Sequence, residues 1–226
     1  MTTFIFSVIS LILFFALLNL WVRLRNAARA DFIRSYTFPP GLLDRLCKHH
    51  PELALKDLQL IAHALRQFFI AYLKSGRNFV SMPSQVADDL WHEFILYTRH
   101  YDAFCQKAFG SFMHHTPAVA LGADKQNNAG LRRTWWYCCL EENINPKNAT
   151  RLPLLFSLDK KLNIRNGFNY VLDCNGIKRD GAQSNSGTVY CGGDISSSSI
   201  DGGTDGFGDS SSDSGGDGGG CGGGGD

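Results

Sequence analysis

The chain has 226 residues, 44% hydrophobic and 19% charged, and its 22 basic and 21 acidic side chains leave a formal net charge of +1. That balance, without a basic stripe interleaved with aromatics, excludes a nucleic-acid partner. No nucleophile elbow, phosphate loop or dinucleotide fingerprint occurs, which sets aside the enzyme classes those motifs mark.

Nineteen residues from Phe4 to Val22 carry no charge. At about 1.5 Å per helical residue the run matches the roughly 30 Å apolar thickness of a bilayer, where the backbone must satisfy itself as a helix. Ser7, Ser10 and Asn19 form no wide polar stripe, so an internal packing helix is the weaker reading. Arg23, Arg25, Arg29 and Arg34 follow the run, opposed only by Asp31, and no basic residue precedes it. The positive-inside rule then places residues 23–226 in the cytoplasm and the N-terminus outside, with Trp21 at the headgroup layer. The alternative is a signal peptide cut near Ala28-Arg29-Ala30. Its charged n-region is missing, and the apolar run exceeds the roughly 7–15 residues of a signal core. A cytoplasmic body keeps the seven cysteines reduced. In the reverse orientation, Cys174 and Cys191 become the natural disulfide pair.

Residues 23–37 read as a basic juxtamembrane linker whose arginines can touch anionic lipid. Pro39-Pro40-Gly41 opens a mainly helical domain, residues 38–191. Within it, Pro51–Ser75 reads as a helix, with Leu58, Ile61, Leu65, Phe68, Phe69, Tyr72 and Leu73 at helical spacing and Gly76 as its C-cap. A second helix runs from Pro83 to Phe109 and stops at Gly110. Gly130–Glu142 forms a third, broken by Asn145-Pro146, and Leu152–Leu162 a short fourth. Phe168–Asp173 and Thr188–Cys191 read as short extended pieces. From Gly192 the chain is almost wholly Gly, Ser and Asp, with seven Asp and no Lys or Arg, so residues 1–191 carry +8. Residues 192–226 bury too little apolar surface to offset backbone ordering and should be disordered. The fold class is mainly α: one transmembrane helix, a small irregular helical domain and a disordered Gly/Ser/Asp-rich tail.

Chemistry concentrates on the second helix, in Asp88-Asp89-Leu90-Trp91-His92, Tyr101, Phe104-Cys105, Gly110 and His114-His115. On a wheel of about 100° per residue, Val86, Leu90, Trp91, Phe94, Tyr97, Tyr101, Phe104 and Cys105 share the core face. Asp88 and His92 fall on the other side, with Cys105 about 140° from His92, which removes a His–Cys zinc site from a straight helix. Asp88 and His92 share a face, and a chain folding back after Gly110 brings His114 or His115 beside them. A carboxylate that fixes an imidazole tautomer is the arrangement found at metal and acid/base histidines. An exposed i,i+4 ion pair is the plain alternative. Cys105 reads as a small core residue.

The segment DDLWHEFILYTRHYDAFCQKAFGSFMHH resembles the repeated motif of glycine-rich-domain proteins, through Asp88, Trp91, His92, Tyr101, Gly110 and His114/His115. It is closer to small bacterial membrane proteins of unassigned function with a W-H…Y…FC…G…HH motif, a Leu-Pro-Leu-Leu-Phe stretch (Leu152–Phe156) and a Gly-rich tail. The glycine-rich-domain pattern often reads W-H-x-H, and this chain has Phe94 at the second His. The resemblance implies a bacterial inner-membrane location and no particular reaction. The expected function is therefore a single-pass, cytoplasm-facing binding module, held in the lipid bilayer through Phe4–Val22 and with a protein partner. The alternative is a metal-dependent or acid/base enzyme centred on His92 with Asp88 and His114 or His115. Those four residues are the candidate ligands for a divalent metal; no catalytic or cofactor-binding residue is assigned.

Overall fold

A computed structural model describes residues 2–115, 125–172 and 189–191. Its first element, α1 (Thr2–Ser35), is one unbroken helix. Among the described residues it is the one helix long and apolar enough to cross a membrane. Its large apolar side chains from Phe4 to Leu24 are exposed, while Asn19 satisfies its amide by donating to the Phe15 carbonyl at 2.9 Å. The basic stretch after Val22 continues the same helix. Its last turns enter the folded body, where Ala30 and Ile33 are buried.

Two short helices and a long one follow: α2 (Leu42–His49), α3 (Leu55–Lys74) and α4 (Gln85–Leu96). The α2 helix occupies a stretch that the sequence reading left unassigned; it buries Leu42 and Leu46, four residues apart. It also delays α3, which starts at Leu55 rather than Pro51, where the Asp57 carboxylate accepts the Ala54 N–H at 3.0 Å. The apolar positions expected for this helix face inward: Leu58, Ile61, Leu65, Phe68, Phe69 and Leu73 are buried. It is the central element, packed against α1, α4, α6 (Lys125–Glu141) and α7 (Leu154–Lys161). Phe69 gathers the rings of Trp91, Phe94, Phe104 and Phe109 within 4.9 to 6.5 Å.

The helix expected over Pro83–Phe109 is two helices. The chain leaves helical geometry at Tyr97 (φ −81°, ψ 56°) and resumes as α5 (Thr98–Ala108). The reason is packing: α4 lies against α2 and α3, α5 lies against α1, and one straight rod cannot follow both. Gly110 then turns the chain with φ +80°. The two extended pieces pair in parallel as β1 (Asn169–Val171) and β2 (Val189–Cys191), with Tyr170 opposite Tyr190.

One buried carboxylate ties the C-terminal lobe to α4. Asp159 accepts from Ser84 Oγ (2.7 Å) and from the backbone N–H groups of Gln85 (2.7 Å), Val86 (3.3 Å) and Phe168 (2.8 Å). It neutralises the free donors at the N-terminus of α4, where negative charge is favoured. A Cβ at Gly167 would stand 2.6 Å from Asp159 Cβ, so only glycine lets the strand approach this closely. Cys47, Cys105, Cys138 and Cys139 are free thiols. The expected tail and the side chains of Cys174 and Cys191 lie outside the described residues.

Candidate metal centre

Asp88 and His92 stand one turn apart on α4, on the side away from its buried Val86, Leu90, Trp91 and Phe94. Asp88 Oδ2 is 3.6 Å from His92 Nδ1. The third member comes from the segment after α5. Trp91 Nε1 donates to the Tyr101 hydroxyl (3.1 Å), which itself donates to the carbonyl of Met113 (2.6 Å). All three groups are buried, so leaving any one unpaired would carry a desolvation cost of about 1–3 kcal/mol. The relay therefore pins the returning chain two residues before His115. His115 Nε2 then lies 3.0 Å from Asp88 Oδ1. Its ring sits edge-on to Trp91 at 4.5 Å and 4.3 Å from the His92 ring.

Side-chain exposure grades across the group: His115 is 12% exposed, Asp88 22% and His92 51%. Asp88 and His115 are largely covered by the body, while His92 is half exposed to solvent. One ligand atom from each of the three lies within 4.8 Å of the others. Ligands sharing a tetrahedral ion at bonds near 2 Å stand roughly 3.3 Å apart. His115 Nε2 is 3.0 Å from Asp88 Oδ1 and His92 Nδ1 is 3.6 Å from Asp88 Oδ2, both near that figure, although the two contacts use different oxygens of the carboxylate. Two nitrogens and one oxygen suit a zinc-class ion, and among the described residues no fourth side chain joins them.

His114 does not join them. Neighbouring residues in an extended chain point opposite ways, and His114 is exposed with its ring 4.9 Å from Phe112. Cys105 is fully buried, the small core residue expected, while the wheel that set it apart from His92 assumed one straight helix and the chain breaks at Tyr97. Burial raises its thiol pKa, and burial likewise pushes Cys139 up to about 12, so both stay protonated core groups. Burial also raises the Tyr101 phenol far out of the physiological range, which keeps its O–H available to Met113.

A second histidine–carboxylate group, missed from sequence, lies on the neighbouring flank of α4. His50 Nε2 is 2.8 Å from Asp89 Oδ2, and Gln85 Nε2 donates to Asp89 Oδ1 at 2.9 Å. One turn on, Glu93 takes Arg45 (2.6 Å) and His49 (3.3 Å). These pairs clamp α2 to α4. Their signal was present as Asp89 and Glu93 at i,i+4, but it needed α2 to supply the partners.

A family model described as UCP032817-like matches residues 28–195, most of the chain, and the chain belongs to that family. The family is uncharacterized. The matched span begins inside α1, just before the buried Arg29 and Ala30, and runs past β2. No curated protein and no solved structure matches the chain.

Proposed function

We propose that this protein is a single-pass membrane protein whose helical body faces the cytoplasm and binds a divalent metal ion through Asp88, His92 and His115. The observation that carries the metal reading is the return of His115 to a pair on α4, with three ligand atoms inside 4.8 Å. Such an ion, when bound, would supply Lewis acidity at its open positions. Asp88, set between both imidazoles, would share the ion with them, and each imidazole would turn a deprotonated nitrogen toward it. The membrane reading is supported by the exposed apolar length of α1 and by the four arginines that follow it.

The test is metal analysis of the full-length protein purified in detergent and exposed to zinc, iron or manganese. One equivalent is expected, lost in His115→Ala and in His92→Ala. A fully helical protein that takes up none of the three overturns the metal reading. For orientation, an impermeant thiol reagent on intact cells should leave Cys221 unlabelled until lysis; labelling beforehand reverses the assignment.

The second reading is a module that binds a protein partner without metal. It is favoured by a crevice of about 540 Å³ lined by Phe38, Pro40, Leu43, Leu55 and Leu58, with Leu55 largely exposed. A partner lost in Leu55→Asp and kept in His115→Ala would support it.

A further inference from the structure

Arg66 stands in the wall of the crevice beside the Pro39-Pro40-Gly41 turn, on the face of α3 that also carries Leu58 and Ala62 into it. Two contacts fix its side chain. Nε donates to the Tyr36 carbonyl at 2.9 Å, and the guanidinium lies 5.1 Å from the centroid of the Phe38 ring. These use the Nε–H and cover one face of the plane, so the terminal Nη edge keeps its donors. Among the described residues no carboxylate pairs with Arg66. Asp44 lines the same crevice from the first turn of α2, yet it makes no ion pair with the guanidinium. Burial lowers the Arg66 pKa, and no acid offsets it.

The rest of the crevice is apolar and stiff. Leu43, Leu58 and Ala62 supply aliphatic surface, and Pro39 and Pro40 have a fixed φ and no N–H to offer. Leu55, the first residue of α3, lies at the rim and is 68% exposed. A free acid small enough to fill about 540 Å³ would leave Leu55 in water, whereas a polypeptide crossing the crevice covers it. A pre-set cation beside a rigid apolar wall selects chemistry as well as shape.

We propose that the crevice takes a segment of a partner protein in which an acidic side chain stands among leucine-type residues. The carboxylate docks end-on to the Nη edge of Arg66 as a two-pronged pair, while the apolar side chains cover Pro40, Leu43 and Leu55. The assignment rests on the second reading above and adds to it the charge of the partner. It needs no metal at His115.

The test is selection from a phage-displayed library of random peptides on the full-length protein in detergent. Enriched peptides should carry Asp or Glu beside Leu, Ile or Phe. One of them, made synthetically, is then titrated as the acid and as its amide analogue by fluorescence polarisation. On the unaltered protein the amide should bind about tenfold more weakly, the scale of one charge-assisted hydrogen bond. On Arg66→Gln the acid and the amide should bind alike. Arg66→Lys, which keeps the charge and loses the fork, should fall between. Equal binding of acid and amide to the unaltered protein, or the same gap on Arg66→Gln, overturns the carboxylate assignment while leaving the crevice as a partner site. Enriched peptides that bind Leu55→Asp undiminished, or no enrichment at all, overturn that site and this proposal with it. Displacement of the peptide by octanoate reassigns the crevice to a free amphiphilic acid and overturns the peptide assignment.

Discussion

Asp88 and Asp159 are both aspartates set against α4, and they differ in how completely they are satisfied. Asp159 is buried and accepts four hydrogen bonds, three from backbone N–H groups that cannot move. Asp88 is partly exposed and, among the described residues, meets two imidazoles, one of them half in solvent. The first carboxylate has spent its lone pairs on the fold; the second has capacity left for a ligand. Burial with fixed donors makes a joint, and partial exposure with exchangeable partners makes a site.

The comparison yields its largest effect on stability. Asp159→Ala strands buried donors at the start of α4 and should cost about 3–5 kcal/mol. Asp88→Ala should cost under about 1 kcal/mol in the metal-free protein, because exposed ion pairs contribute little. Denaturant midpoints of the two variants check this; equal losses would erase the distinction. Metal then separates the pair in the opposite sense. At a hundredfold excess over its dissociation constant, an ion should stabilise the unaltered protein by about 2.7 kcal/mol. Asp88→Ala should lose that gain, read as a melting shift on adding zinc.

A smaller effect sharpens the role of the returning segment. Gly110→Ala meets both a positive φ and the Arg29 guanidinium, and should destabilise by about 1–2 kcal/mol. It should also weaken metal binding by displacing His115, which titration calorimetry would detect. The smallest effect concerns a third carboxylate. Burial alone would raise the Glu141 pKa, but hydrogen bonds and charges from Arg34 and Lys74 outweigh it and lower the value. A folded pKa below the unfolded one stabilises above about pH 4.3 and is lost as pH falls through the folded value. Glu141→Gln should therefore flatten the acid limb of stability between about pH 5 and 3, measured by denaturation at each pH.

Much of this arrangement was legible in the sequence, and the illegible parts share a cause. The spacing of Asp88 and His92 is local, so a wheel paired them. The apolar periodicity of α3 read correctly for the same reason. The break at Tyr97 left no trace, because Leu90, Trp91, Phe94, Tyr101 and Phe104 keep one face through it. What breaks the helix is the demand of two different neighbours. The choice of His115 over His114 depends on the Tyr101–Met113 bond, which fixes the phase of the returning chain. The Asp159 joint and the His50–Asp89 clamp link residues far apart in sequence, and nothing at either end advertises the other.

The unbroken α1 has a mechanical consequence. A helix of 34 residues is about 51 Å long, and its last turns are gripped by the core and by Glu141. It is a lever arm with no hinge along its length. Torque applied to its first half therefore turns the body, and the histidine segment pinned to it, as one piece.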